Sequence, residues 1–258
     1  LVNTLSLRAT DYRLDLPLQK ACSHDITKYC REDAARANSS QFEENGSVLH
    51  CLKKHFVTTI PEKMLTRRCY SRVRSIIALE HVFYRLDPVL VKACKTDIMQ
   101  QCRAHLVDAT KHSRPGKPMP PGSDVDSDSE EDEADDDPLE SGVRECLRDA
   151  LQHNRLKSPE CIQEMGLTVR EEITDIQLDP HMAQACAVDV RTHCGQVTPG
   201  EGQLMTCLLH VLDRSDASSI LGENCYRQLL ARRELWQHVS MQRGPESLVD
   251  IVNQINAG

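Results

Sequence analysis

The sequence predicts an all-α protein made of tandem, disulfide-stapled three-helix repeats that form an extended array. Two observations favour this fold: a cysteine spacing that recurs three times, and helical periodicity in the residues around the cysteines. A third observation concerns the core. Aromatic residues make up 3% of the 258 residues, so we expect several small cross-linked cores rather than one large core.

The cysteines define the repeat. They fall into three sets of four, and the first two cysteines of every set are eight positions apart. The last cysteine of one set precedes the first cysteine of the next by 25 positions in both cases. The three sets are Cys22, Cys30, Cys51 and Cys69; Cys94, Cys102, Cys146 and Cys161; and Cys186, Cys194, Cys207 and Cys225.

The residues around the cysteines repeat as well. Each set opens with Ala-Cys-x-x-Asp followed by Ile or Val, and each third cysteine is followed by Leu. A Leu-Asp step lies seven residues before every first cysteine. The capping aspartates of these steps are Asp15, Asp87 and Asp179. The three units therefore share sequence motifs as well as cysteine spacing.

Each unit is expected to hold three helices. Asp-Pro at 87–88 and 179–180 is typical of a helix start, and apolar residues then recur at intervals of three and four. The second helix is expected to open near Gly46, Gly142 or Gly202, and the third to run from the fourth cysteine to the next capping aspartate. Ordinary core packing is the expected role of one face of the third helix in the first unit, formed by Tyr70, Val73, Ile77 and Tyr84.

The repeat divides the chain into units and an insert. We expect the chain to begin inside an array, and the insert to be disordered because it is rich in proline and acidic residues. The expected divisions are 1–15, the end of a preceding repeat; 16–87, repeat one; 88–179, repeat two with an acidic insert at about 108–141; 180–244, repeat three; and 245–258, a degenerate or partial helix.

Several classes of function are excluded by missing signatures. The sequence has no Cys-x-x-Cys, no His-Glu-x-x-His, no Gly-x-Ser-x-Gly and no glycine-rich phosphate loop, which predicts a protein that is not an enzyme and needs no cofactor. Charge is unevenly distributed along the chain. Ten of the 39 acidic residues lie in one run, 124–137, and the rest of the chain is nearly neutral. A nearly neutral protein with few aromatic residues lacks the basic surface and the stacking rings that nucleic-acid binding needs, so a nucleic-acid partner is not expected. No apolar window is long enough for membrane insertion, and we see no signal peptide.

The cysteine spacing favours disulfides over a metal site. Zinc ligands usually come in pairs two to four residues apart, and these cysteines do not. The neighbouring histidines His24, His50 and His193 do not recur at equivalent places in the three units. Disulfides in turn imply an oxidising compartment, which is the secretory lumen or the cell exterior.

Helix order predicts which cysteines pair. If the first two helices of a unit are antiparallel, the second cysteine faces the third across the connecting loop, and the first lies about 12 Å back along helix one. The fourth cysteine, which follows the second helix, lies near the first cysteine at the other end of helix one. The predicted nested bridges are Cys22 to Cys69, Cys30 to Cys51, Cys94 to Cys161, Cys102 to Cys146, Cys186 to Cys225, and Cys194 to Cys207.

Four modification or ion sites are expected on exposed loops. Asn38 and Asn45 are glycosylation acceptors in the segment between the second and third cysteines of repeat one. Ser129, with an acidic residue two positions later, suits an acid-directed secretory kinase. The acidic run begins like a calcium loop but has Ser129 where that loop needs Gly, so at most weak calcium binding is expected.

The full pattern resembles a known family. Leu-Asp-Pro, Ala-Cys-x-x-Asp-Ile-x-x-x-Cys, apolar-x-x-Cys-Leu and a lone Cys before a long helix are similar to the repeat of the cysteine-rich fibroblast growth factor receptors of the Golgi, over residues 12–240. The second unit departs from the family pattern, since 43 residues separate its second and third cysteines against 20 and 12 in the others.

The resemblance implies a function. It points to a luminal segment of a Golgi membrane glycoprotein, with the transmembrane segment outside this chain, that binds secreted fibroblast growth factor and selectin. The alternative is a passive structural spacer or a luminal protein that buffers calcium with low affinity. A thiol-exchange enzyme would need a Cys-x-x-Cys pair, which the sequence lacks.

Overall fold

A computed structural model describes residues 7–39, 46–58, 60–106, 138–198, 200 and 202–241. Across these ranges the chain forms α-helices and short 3-10 turns and no strand, which confirms the predicted all-α class. Asn45, Ser129, the acidic run 124–137 and residues 245–258 lie outside the described ranges. We call the ranges 16–87, 88–179 and 180–244 units one, two and three.

The described ranges hold four helices in unit one, three in unit two and five in unit three, against the three expected in each. Unit one holds α1 (Leu16–Tyr29), α2 (Arg31–Ser39), α3 (Ser47–Phe56) and α4 (Arg67–Val82). Unit two holds α5 (Pro88–Gln101), α6 (Pro138–Gln152) and α7 (Pro159–Thr174). Unit three holds α8 (Pro180–Ala185), α9 (Ala187–His193), α10 (Gln203–Leu212), α11 (Ala217–Ile220) and α12 (Glu223–Met241).

The Leu-Asp steps explain where the first helix of each unit begins. The carboxylate of Asp15 accepts a hydrogen bond from the backbone N–H three residues later at 2.9 Å, and Asp87 and Asp179 do the same at 3.0 and 3.1 Å. Each acceptor satisfies one of the N–H groups that a helix start leaves without a partner. A proline in the first turn adds a preset backbone angle.

Four expectations about helix bounds are wrong. The segment after Cys30, expected as a loop, forms α2, because Arg31–Ser39 offers Glu32 and Asp33 to the positive end of a helix. The second helix of unit two begins at Pro138 rather than near Gly142, so the last residues of the predicted 108–141 insert are helical. The first helix of unit three is interrupted at Cys186, which separates α8 from α9.

The fourth error concerns the third helix. It was expected to reach the next capping aspartate, but α4 ends at Val82 and α7 at Thr174, and each is followed by a separate 3-10 turn. In unit one that turn is Tyr84–Leu86. Phe83, between helix and turn, has an extended backbone, which lets the chain change direction into the next unit.

Two apolar clusters form the core, and neither is confined to one unit. The first is built from α1, α3 and α4, and it also takes in Leu167 and Leu178 from unit two. The second runs continuously from Tyr84 through unit two to Val239 in unit three. Val73 and Ile77 of the predicted face lie in the first cluster, whereas Tyr84 lies in the second. Consecutive units are therefore joined through shared cores, which differs from the separate small cores expected.

In units one and three, a glycine precedes the helix of the third cysteine and contacts the chain just before the unit. Gly46 precedes α3 with φ of 59°, and its N–H donates to the carbonyl of Thr10 at 3.0 Å. Gly202 precedes α10 with φ of 74°, and its N–H donates to the carbonyl of Thr174 at 2.7 Å. Positive φ at these places favours glycine over residues with a Cβ.

We predict that Gly46→Ala destabilises the protein. A Cβ at this position would lie 2.8 Å from the carbonyl oxygen of Ala9 and 2.9 Å from the Pro88 ring, in a left-handed conformation. The expected loss is about 1–3 kcal/mol of unfolding free energy, measured by chemical denaturation of the oxidised chain. Gly166→Ala is the matched control because its Cβ would meet Val239 at 3.4 Å inside α7, where Ala favours the helix. Equal losses in the two variants would contradict the prediction.

Candidate functional site

Six disulfides form a nested pair in each unit. The outer bridge joins the first and fourth cysteines with Cα atoms 4.5–4.6 Å apart, and the inner bridge joins the second and third with Cα atoms 5.7–6.0 Å apart. The outer bridges are fully buried. The pairs are Cys22 with Cys69, Cys30 with Cys51, Cys94 with Cys161, Cys102 with Cys146, Cys186 with Cys225, and Cys194 with Cys207.

The aspartate of the Ala-Cys-x-x-Asp motif holds the start of the helix that carries the fourth cysteine. Asp25 in α1 accepts from the backbone N–H of Thr66 at 3.0 Å and from its hydroxyl at 2.7 Å. The bridge from Cys22 to Cys69 lies one turn away, so α1 and α4 are antiparallel. The equivalent contacts are Asp97 with the N–H groups of Lys157 and Ser158, and Asp189 with the N–H of Gly222.

The structure also locates one predicted modification residue. Asn38 lies on the last turn of α2, where it is exposed, and not in a loop as expected. Its exposure leaves the side chain accessible to solvent. Among the described ranges no group of three or more His, Cys, Asp or Glu side chains has the arrangement of a metal site.

A cluster of buried charges, which the sequence reasoning missed, lies where unit one meets unit two. We call Lys53, Glu80, Asp87, Arg144 and Glu171 the junction cluster. The ammonium of Lys53 lies 2.7 Å from a carboxylate oxygen of Glu80, 2.7 Å from one of Asp87 and 3.3 Å from one of Glu171. Arg144 lies 3.6 Å from Asp87. The five side chains are at most 6% exposed, so the cluster fixes helices and is closed to a substrate.

One carboxyl of the junction cluster is protonated at neutral pH. Burial, with the negative charges of Asp87 and Glu171, raises the pKa of Glu80 to about 8 against the pull of Lys53. Burial acts in the same direction on Asp87, but there Lys53 and Arg144 outweigh it and hold the pKa below its ordinary value. Glu80 is therefore the member that carries the proton at neutral pH.

A second junction contact brings an imidazole close to a carboxyl group. His50 in α3 and Glu164 in α7 approach to 3.4 Å. Burial and the nearby charge of Lys54 lower the pKa of His50 to about 4. Burial and the charge of Asp87 raise the pKa of Glu164 to about 7. The imidazole is consequently neutral, and the contact does not depend on an ion pair.

The junction between units two and three repeats part of this arrangement. Arg148, two residues after the third cysteine as Lys53 is in unit one, pairs with Glu172, seven residues before the capping aspartate as Glu80 is. Arg232 donates to Asp179 at 2.8 and 2.5 Å. Burial opposes ionisation of Asp179, but Arg232 and Arg148 lower its pKa below the ordinary value. A basic residue two positions after the third cysteine was the sequence signal for these contacts.

The pairing is open to a direct chemical test. Proteolysis of the unreduced chain followed by mass spectrometry is expected to recover Cys30 joined to Cys51 and Cys22 joined to Cys69, with the equivalent pairs in units two and three. Alkylation at acid pH before digestion prevents exchange of bridges during the work-up. Recovery of Cys22 joined to Cys51 from a chain so treated would show that the nested arrangement is wrong.

The junction cluster predicts how stability changes with pH. Because the folded pKa of Glu80 is about 8 and its ordinary value is 4.5, the folded chain keeps a proton that the unfolded chain releases, and stability falls as pH rises between these values. Glu80→Gln removes this fall. We expect the variant to match the parent near pH 5 and to be about 1–4 kcal/mol more stable at pH 8 in chemical denaturation. Glu62→Gln, at an exposed position, should follow the parent at both pH values.

Comparison with known proteins places the chain in a family. The cysteine-rich repeat family (Cys_rich_FGFR) matches residues 1–59, 67–155 and 159–216. Golgi apparatus protein 1 from Gallus gallus and from Homo sapiens are each 30% identical to the chain over 246 residues, which is 95% of this chain and 18% of each relative. The Golgi apparatus protein 1 homolog of Caenorhabditis elegans is 26% identical over 234 residues, 88% of this chain and 18% of that protein.

The chain therefore spans about 18% of the length of the curated relatives it matches. No solved structure matches it. The relatives' shared name agrees with the Golgi location predicted from the sequence, and neither that name nor the family description is that of an enzyme. Because the family matches cover most of the chain and 11 of its 12 cysteines, the chain belongs to the cysteine-rich repeat family.

Proposed function

We propose that this chain is a non-catalytic, protein-binding segment on the luminal side of a Golgi membrane glycoprotein, and that it binds secreted growth factors. The Golgi location is supported by the relatives, and fibroblast growth factor and selectin are supported as partners by the family resemblance. Within the described ranges no helix is long and apolar enough to cross a membrane.

One observation carries the proposal: consecutive units are held together through their interiors. The junction cluster, the shared apolar clusters and the glycine contacts all join one unit to the next. Repeats that pack on their neighbours in this way present an extended surface, and a surface fixed in advance loses less entropy when a protein binds. Binding is therefore assigned to the outer faces of the helices.

The acidic run contributes to the rate of binding. Ten negative charges within residues 124–137 attract a basic growth factor over several ångströms at low ionic strength. Since salt screens charges that are far apart, this attraction falls as salt rises. Specific affinity then resides in the helical faces, and the association rate depends on the acidic run.

The test measures association of the oxidised chain with a basic fibroblast growth factor at low and at high salt. The parent is compared with a variant that lacks 116–137, since halving the length of a loop changes its closure free energy by only about 0.6 kcal/mol. We expect both proteins to bind with a Kd in the micromolar range or tighter. The deletion should slow association at low salt by about tenfold and have little effect at high salt.

The matched control is the same chain after reduction and alkylation. It keeps its charged side chains but loses the disulfides that hold the helices in place. Binding by the oxidised chain and not by the alkylated chain supports the helical faces as the binding surface. If neither the parent nor the deletion variant binds while oxidised, the segment is a spacer. Equal binding by oxidised and alkylated chains would assign the interaction to charge alone and overturn the proposal.

A further inference from the structure

One end of unit one carries five exposed cations. We call Lys28, Lys54, Lys63, Arg67 and Arg68 the basic end. Lys28 lies in the last turn of α1, Lys54 in the last turn of α3, Lys63 in a 3-10 turn, and the two arginines in the first turn of α4. In the part of the chain that the structure describes, none of the five forms an ion pair within 4.0 Å.

Polar contacts bring the first three elements together. The hydroxyl of Tyr29 donates to the carbonyl oxygen of Glu62 at 2.7 Å, and the ammonium of Lys28 donates to the same oxygen at 3.3 Å. The rings of Tyr29 and His55 stack with centroids 4.4 Å apart, and the imidazole of His55 lies 2.9 Å from the carbonyl oxygen of Lys63. The ends of α1 and α3 therefore meet at this turn.

The start of α4 lies at the same end. Asp25 binds Thr66, which precedes the arginines, and Lys28 lies one turn beyond Asp25 toward the end of α1. Since α1 and α4 are antiparallel, the last turn of one lies beside the first turn of the other. The five cations thus belong to one surface formed by three helix ends and a turn.

The other two units do not have arginines at this place. The two positions before the fourth cysteine hold Arg67 and Arg68 in unit one, whereas they hold Pro159 and Glu160 in unit two and Glu223 and Asn224 in unit three. An acidic residue suits the positive end of a helix, and a basic residue there costs about 0.3–1 kcal/mol. Unit one therefore keeps an arrangement that is unfavourable for its own helix.

The cap of α4 shows the same departure. Ser158 caps α7 by accepting from the N–H of Cys161 at 3.3 Å. Thr66 takes the equivalent place in unit one, but its hydroxyl donates to Asp25 and makes no cap hydrogen bond with α4. The first turn of α4 consequently combines N–H groups that lack a side-chain cap with two exposed guanidinium groups, which favours an anion.

We propose that the basic end binds a sulfated glycosaminoglycan chain, a function beyond protein binding by the helical faces. Clusters of Lys and Arg are typical of surfaces that bind heparin-like polymers, and guanidinium groups match sulfate oxygens as they match phosphate. The six disulfides place the chain in the oxidising compartments, where sulfated polysaccharides are made and displayed. Long, flexible cations at three helix ends suit a linear polymer with repeated charges.

The probe is a heparin oligosaccharide of defined length, and the protein is the full oxidised chain. The variant Lys63→Gln/Arg67→Gln/Arg68→Gln removes three charges from the basic end. The matched control Lys95→Gln/Arg103→Gln/Arg191→Gln removes three exposed charges from units two and three. Both sets alter surface residues, and circular dichroism with denaturation checks that both proteins fold.

At about 0.15 M salt we expect the parent to bind heparin and the basic-end variant to lose about tenfold or more in affinity. The slope of log K against log salt should fall by about 2–3 in this variant and by less than about 1 in the control. The proposal is overturned if the parent does not bind, or if both variants lose affinity equally. It is also overturned if polyglutamate of the same charge displaces heparin as well as heparin itself does, since the basic end would then bind acidic protein segments.

Discussion

The outer disulfide of each unit is the constraint on which the rest of the structure depends. It holds the first helix antiparallel to the helix that carries the fourth cysteine. This alignment places Asp25 beside the backbone N–H of Thr66, and in units two and three it places the equivalent aspartates beside the N–H groups of Lys157 and Gly222. With so few aromatic side chains, burial alone stabilises such small units poorly. On the chain-entropy model, cross-links that close loops of this size contribute about 3–4 kcal/mol each.

The junction cluster adds specificity more than stability. Burying charges costs several kcal/mol for each ion, and well-packed apolar residues of similar volume are often at least as stable. The ammonium of Lys53 nevertheless contacts Glu80, Asp87 and Glu171 together in only one arrangement of α3, α4 and α7. An apolar junction would tolerate a shift of one unit along the other, whereas such a shift here would leave charges unpaired in the interior.

Features made by residues close together in the sequence, such as helix caps, were predictable. Contacts between residues far apart in the sequence were not. The Leu-Asp steps led to the helix starts because a cap is made within three residues. The helix α2 was missed because its few apolar residues gave no stripe, and the break at Cys186 has no glycine or proline to mark it. Lys53 resembled a surface residue, since its carboxyl partners lie 27 to 118 positions further along the chain. Glu80, Glu164 and Glu171 acquire their pKa directions from that distant packing alone.

The outer bridges also decide what a protease can release. Cys22 to Cys69, Cys94 to Cys161 and Cys186 to Cys225 each enclose a stretch of chain, so a cut within one of these stretches leaves both halves covalently attached. The acidic run at 124–137 is enclosed by two bridges, because Cys102 and Cys146 also lie on either side of it. Separation of one unit from the next requires a cut at 69–94 or 161–186, where α4, α7 and buried charges lie. A protease that cuts within 124–137 therefore leaves the three units covalently joined, whereas release of a unit needs a cut beside a helix and buried ion pairs.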